Sequence, residues 1–130
     1  MDRNKCKILV VDDSEFSRIS ITQMLEADGL QVLAQAQGAN EAMEILEKEK
    51  IDIAIVDVVM PDTSGIELAQ KISSTHPATH IIMISSLGQE NIVLDSITAG
   101  AQDFIQKPIK KEILLNSIQK IAEGIQEEMV

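Results

Sequence analysis

Tryptophan and tyrosine are missing from this chain, and phenylalanine occurs only twice. With aromatics at 2% of 130 residues, a core must be aliphatic, and the 45% hydrophobic content is enough to build one domain of ordinary size. Cys6 stands alone, which excludes an internal disulfide and any CxxC metal pattern. Long apolar runs are absent too. The longest, such as "ILVV" and "IIMI", are far too short to span a bilayer, and the opening "MDRNKCK" lacks the apolar segment of a secretory signal. These absences describe a soluble protein of a reducing cytoplasm. Positive charge is also scarce: 11 Lys and Arg stand against 21 Asp and Glu, a formal net charge of −10. That counts against nucleic acid and anionic membranes as partners, both being polyanions. It suits a cationic partner or a bound metal, and equally a protein kept soluble by its surface.

What is present alternates between strand-like and helix-like stretches. "KILVVD" (7–12) is an apolar run suited to a strand buried on both faces. Ser14 caps a helix carrying Phe16, Ile21, Met24 and Leu25 on one side and ending near Gly29. "QVLAQA" (31–36) alternates like a half-exposed edge strand. A helix over 39–50 turns Ala42, Ile45 and Leu46 inward. "DIAIVD" (52–57) is a third strand, and 64–74 a helix with Leu68 and Ile72 inward. "HIIMIS" (80–85) is a fourth strand, 90–99 a helix closed by Gly100, and "DFIQK" (103–107) a short fifth strand broken by Pro108. A last helix over 110–126 carries Leu114, Ile118, Ile121 and Ile125. This (βα)5 alternation predicts an α/β fold, a parallel sheet with helices on both faces. No linker or repeat interrupts it, so residues 1–130 are expected to form one domain with no second attached.

In open parallel sheets, ligands sit beyond the carboxyl ends of the strands. Asp12 and Asp13 follow strand 1, Asp57 ends strand 3, Ser85 ends strand 4 and Lys107 ends strand 5. If strands 1 and 3 are neighbours, about 4.8 Å apart, the three carboxylates converge. They then repel one another and raise one another's pKa values. Something cationic must compensate: the Lys107 ammonium, a divalent ion, or both. All-oxygen ligation favours Mg2+ or Mn2+ over zinc. His76 and His80 fall at the opposite end of strand 4 and read as surface residues. Any single Asp here reads more readily as a helix cap than as a ligand, but caps do not account for the set of four strand ends.

The acidic pair Asp12–Asp13, "DVVMPDTSG" around Asp57, Ser85, and "AGAQDFIQKP" ending in Lys107–Pro108 together resemble the receiver domains of two-component response regulators, over essentially the whole chain. The resemblance implies a flavodoxin-like doubly wound sheet in the order 2-1-3-4-5; this order is a worked example of the general rule for such sheets. It implies that Asp57 accepts a phosphoryl group from a phosphohistidine on a histidine kinase. Asp13, Asp57 and the Val59 backbone carbonyl would bind Mg2+ directly, Asp12 largely through water, with Mn2+ able to substitute. Lys107 and Ser85 would contact the phosphoryl oxygens. Ser85 and Phe104 would form the switch: Ser85 moves toward the phosphoryl group and Phe104 rotates inward. The Lys107–Pro108 bond is expected to be cis. Val59 and Leu87 are apolar where they would flank a water attacking the phosphoaspartate, which implies slow self-dephosphorylation, and Ser86 narrows access to Asp57.

Such a protein is no enzyme beyond its own phosphorylation and dephosphorylation. "ISSLGQENIVLDSITAGAQDFIQKP" looks more like the chemotaxis type, whose partners are a CheA-like kinase, the flagellar motor switch protein and in some cases a phosphatase. The rivals are a phosphorelay intermediate and a pseudo-receiver that binds partners unphosphorylated. A third, an aspartate-nucleophile phosphatase, needs a second Asp where Val59 stands. A lone receiver is expected to be a monomer.

Overall fold

The computed structural model describes residues 1–128, with side chains described through residue 125. Five strands alternate with five helices: β1 (Lys7–Val11), α1 (Glu15–Ala27), β2 (Gln31–Ala36), α2 (Ala39–Lys48), β3 (Ile53–Asp57), α3 (Gly65–Thr75), β4 (His80–Ser85), α4 (Glu90–Thr98), β5 (Asp103–Gln106) and α5 (Lys111–Glu128). A single 3-10 turn, Arg3–Lys5, precedes β1; the sequence reading did not include it. The strands form one sheet in the order β2-β1-β3-β4-β5, and every pairing is parallel.

The continuous apolar runs are explained by burial on both faces. Odd and even positions of each strand feed different cores, because side chains alternate across a strand. Leu9, Val11, Ala54, Val56, Ile81 and Met83 meet Ala42 and Leu46 of α2 and Leu68 and Ile72 of α3. Ile8, Val10, Ile53, Ile55, Ile82 and Ile84 meet Ile21 and Leu25 of α1 and the Leu114, Ile118, Ile121, Ile125 stripe of α5. No helix among the described residues is long and apolar enough to cross a membrane.

One expectation about the core fails. Phe16 does not join the inward side of α1; it is 81% exposed. The buried stripe of α1 runs through Arg18, Ile21 and Leu25, a spacing of three and four that defines one helix face. Phe16, two positions before Arg18, is turned about 200° from that face at 3.6 residues per turn.

Candidate functional site

The strand register determines what meets at the carboxyl rim. Val11 of β1 pairs with Val56 of β3, so the residues that follow, Asp12 and Asp57, emerge side by side. Carboxylate oxygens of Asp12, Asp13 and Asp57 all lie within 4.8 Å of one another. Asp12 is wholly buried, Asp57 nearly so, and Asp13 is exposed. The chain leaves β1 through a local turn in which the Ser14 N–H donates to Asp12 Oδ1 at 2.9 Å, and Ser14 then caps α1 through the Ser17 N–H.

Lys107 reaches into this cluster from the end of β5. Its Nζ lies 2.8 Å from Asp12 Oδ2 and 3.5 Å from Asp57 Oδ2, with Ser17 Oγ at 3.4 Å. The lysine therefore binds Asp12 more closely than Asp57. Burial disfavours its charge, but the two carboxylates outweigh that and hold its pKa above the usual lysine value. Asp57 goes the other way. Burial, then the field of Asp12, pushes its pKa up to about 6, against the pull of Lys107 and the Val59 N–H, 3.4 Å from Oδ1. The charge on Asp57 is thus disfavoured despite a lysine beside it.

Ser85, also buried, ends β4 and pairs in register with Gln106 of β5. Its Oγ accepts the Leu87 N–H at 2.9 Å, so the hydroxyl oxygen is engaged in its own loop. Phe104 is half-buried and packs against the α2–α3 side of the core. Val59 and Leu87 are exposed, 54% and 38%, and Ser86 is exposed as well. The Lys107–Pro108 bond is cis. His76, the residue that ends α3, and His80, the first of β4, lie at the other end of the sheet.

Two contributors were missed in the sequence. Arg18, buried on α1, donates from Nη1 to the Asp12 carbonyl at 2.7 Å and fixes the loop that carries the acidic pair. The signal was its place on the Ile21–Leu25 stripe, where a cation needs a partner. Asp62, in the loop between β3 and α3, holds the first turn of α2.

An acidic, all-oxygen pocket with an internal lysine thus lies on the carboxyl rim of a 2-1-3-4-5 sheet, a donor set of the kind that suits a hard cation. That defines a class of protein, and comparison with known proteins gives the family. Residues 8–119 match the model of the response regulator receiver domain, and the chain belongs to that family. It is 37% identical over 114 residues to chemotaxis protein CheY of Bacillus subtilis, covering 88% of this chain and 95% of that one. Among solved structures it is similar to a CheY-like receiver domain protein of Methanospirillum hungatei, with a TM-score of 0.86 and 32% identity over 94% of this chain and 98% of that one. It is also similar to a chain of the CheX–CheY–BeF3–Mg complex of Borrelia burgdorferi, with a TM-score of 0.84 and 31% identity over 89% and 88% of the two chains.

Proposed function

We propose that this chain acts as a response regulator receiver that accepts a phosphoryl group from a histidine kinase onto Asp57 and so switches its affinity for a partner in chemotaxis. The observation that carries the reading is the convergence of Asp12, Asp13 and Asp57 around Lys107 at the sheet's rim.

The donor set fits Mg2+: carboxylates within 4.8 Å of one another, with exposed Asp13 as the side from which a hydrated ion can arrive. Asp13, Asp57 and the Val59 carbonyl would hold the ion, Asp12 would assist through water, and Mn2+ would serve in its place. Bound there, the ion supplies positive charge against the phosphoryl oxygens. The chain's own residues do the rest. An Asp57 carboxylate oxygen attacks phosphorus, the P–N bond to the donor imidazole breaks, and the imidazole keeps the electron pair and takes a proton from solvent. The product is an acyl phosphate. With a pKa of about 6 in the metal-free protein, Asp57 is largely ionised at neutral pH and available as nucleophile. Lys107, already between Asp12 and Asp57, neutralises charge on the transferred group with little movement.

The switch follows from the Ser85 contact. Phosphorylation adds about −1.5 to −2 charge and three acceptor oxygens. Ser85 leaves the Leu87 N–H to donate to one of them, the β4–α4 loop shifts, and half-buried Phe104 turns into the space vacated. Phe104 has no hydroxyl, so the partner reads shape and apolar area at this position.

The likeness to chemotaxis proteins supports a flagellar motor switch protein as the target and a CheA-like kinase as donor. In a pull-down with flagellar switch protein, the phosphorylated chain is expected to be retained and the unphosphorylated chain or Asp57→Asn to wash through. Retention independent of phosphorylation favours a constitutive binding module. Phosphoryl transfer onward to a second histidine protein favours a relay intermediate. Val59 and Leu87 offer no hydrogen bond to an attacking water, so the acyl phosphate is expected to last minutes without a phosphatase. Decay within seconds, followed by loss of phosphoprotein on a phosphate-affinity gel, contradicts the roles given to these two side chains.

A further inference from the structure

We propose that Asp62 is a positioning residue for the metal-binding loop: seated on the first turn of α2, its carboxylate holds the β3–α3 loop, and with it the Val59 carbonyl, at the rim. The inference rests on the magnesium reading given above and extends it to a residue outside the acidic cluster.

The first turn of a helix has N–H groups with no partner inside the helix. In α2 the N-cap position is Gly38, which has no side chain to offer. The cap arrives from another loop: Asp62 Oδ1 accepts the Ala39 N–H at 3.1 Å, and Oδ2 accepts the Asn40 N–H at 3.0 Å. Oδ1 also accepts the Thr63 N–H at 3.0 Å, which stiffens the loop locally. These N–H groups, Asn40 first and Ala39 next, hold the Asp62 carboxyl below the usual carboxylate value, so the contact is made in its charged form, at the positive end of the helix.

Gly38 makes this seat possible. A Cβ there would lie 2.8 Å from Asp62 Oδ1 and 3.0 Å from its Cγ. Gly38 thus both withholds a cap and clears the space for one supplied by a residue 24 positions later.

The other fixings of the loop lie on either side of Val59. The Gly65 N–H donates to the Val58 carbonyl at 2.7 Å, and Met60 is buried against the α2–α3 core. Among the described residues, Val59 itself is held only by the 3.4 Å contact of its N–H with Asp57 Oδ1, and its side chain is exposed. The bonds of Asp62 to Ala39 and Asn40 tie the loop that carries Val59 to a different element. Release them, and the Val59 carbonyl must be ordered when metal binds instead of beforehand. The cost falls on metal affinity, while Asp57 and Lys107, and therefore the transfer step at saturating metal, are untouched.

The test is calorimetric titration with MgCl2 alongside phosphorylation by acetyl phosphate. Asp62→Ala is expected to weaken Mg2+ about tenfold, the scale typical of residues that orient metal ligands, with an unchanged phosphorylation rate at saturating Mg2+. Asp62→Asn, whose amide oxygen still accepts an N–H, recovers most of the affinity. Gly38→Ala keeps Asp62 but fills its seat, and is expected to match Asp62→Ala. Leu46→Ala loosens the same helix against the core without touching the contact, and is expected to lower the melting temperature and leave Mg2+ affinity alone. Wild-type affinity in both Asp62→Ala and Gly38→Ala, with only stability lost, overturns the proposal and leaves a plain helix cap. If the wild type takes up no Mg2+ at all, the metal reading fails and this inference falls with it, a result distinct from the first.

Discussion

Asp57→Asn is expected to be more stable than the wild type at pH 7.5 in metal-free buffer, by about 3 kcal/mol, a gain that disappears in acid. Folding buries Asp57 beside Asp12 and raises its pKa from 3.8 to about 6. The unfolded chain gives up this proton more readily than the folded one. Wild-type stability from this group is therefore intact below pH 3.8, falls as pH rises toward 6, and stays low above it. A shift of about two units corresponds to about 3 kcal/mol at 1.36 kcal/mol per unit, or roughly 10 °C in melting temperature for a chain of this size. An amide at position 57 has no charge to bury, and Lys107 keeps its 2.8 Å contact with Asp12. Thermal melts of both proteins between pH 3.5 and 8 with a chelator present check this. No gain at pH 7.5, or an equal gain at pH 3.5, contradicts it. Removing the carboxylate proposed as phosphoryl acceptor is thus expected to stabilise the fold, as with functional groups held in costly surroundings.

Gly65→Ala is expected to lower the melting temperature by roughly 10 °C and to slow phosphorylation of whatever folds. The chain re-enters the sheet's rim at Gly65, whose N–H bonds the Val58 carbonyl. A Cβ at Gly65 would sit 2.1 Å from the Asp57 carbonyl oxygen, 2.8 Å from its carbon and 2.9 Å from Val58 Cα. All three atoms are backbone, so no rotamer change relieves the overlap. Overpacking of this kind costs on the order of 3 kcal/mol, and the atoms that must shift belong to Asp57 and Val58. Gly124→Ala is the matched control: nothing lies within 4 Å of its added Cβ, and alanine in a helix gains up to about 1 kcal/mol over glycine. A Gly65→Ala protein melting beside the wild type contradicts the close approach.

The parts of this fold legible in the sequence are those set by local pattern. β2 and β4 were read to the residue, because each apolar run is bounded by residues that break or turn the chain. That Asp12 and Asp57 stand at the ends of apolar runs was legible in the pattern, whereas the pairing of those runs as neighbours was implied by the family resemblance and is present in the sheet. The parts that were not legible depend on contacts distant in sequence. α2 stops at Lys48, two residues short of the reading, although Glu49 and Lys50 are good helix formers: the chain must turn there to enter β3. Phe16 looked inward by its apolarity, but buried Arg18, bonded to the Asp12 carbonyl, sets the face that α1 turns to the sheet. The same holds for Lys107, closer to Asp12 than to Asp57, and for Ser85, whose hydroxyl oxygen accepts the Leu87 N–H. Side-chain partners of this kind are chosen by packing, and no residue pattern encodes them.

Phosphorylation of Asp57 is proposed to require a cation held by its acidic neighbours. Intact-protein mass measured after incubation with acetyl phosphate, with MgCl2 or with a chelator, tests this directly. The predicted result is the added mass of one phosphoryl group on the wild type with MgCl2, and none with chelator or on Asp57→Asn. A chain that gains no mass with MgCl2, or gains it equally with chelator or without Asp57, contradicts the account.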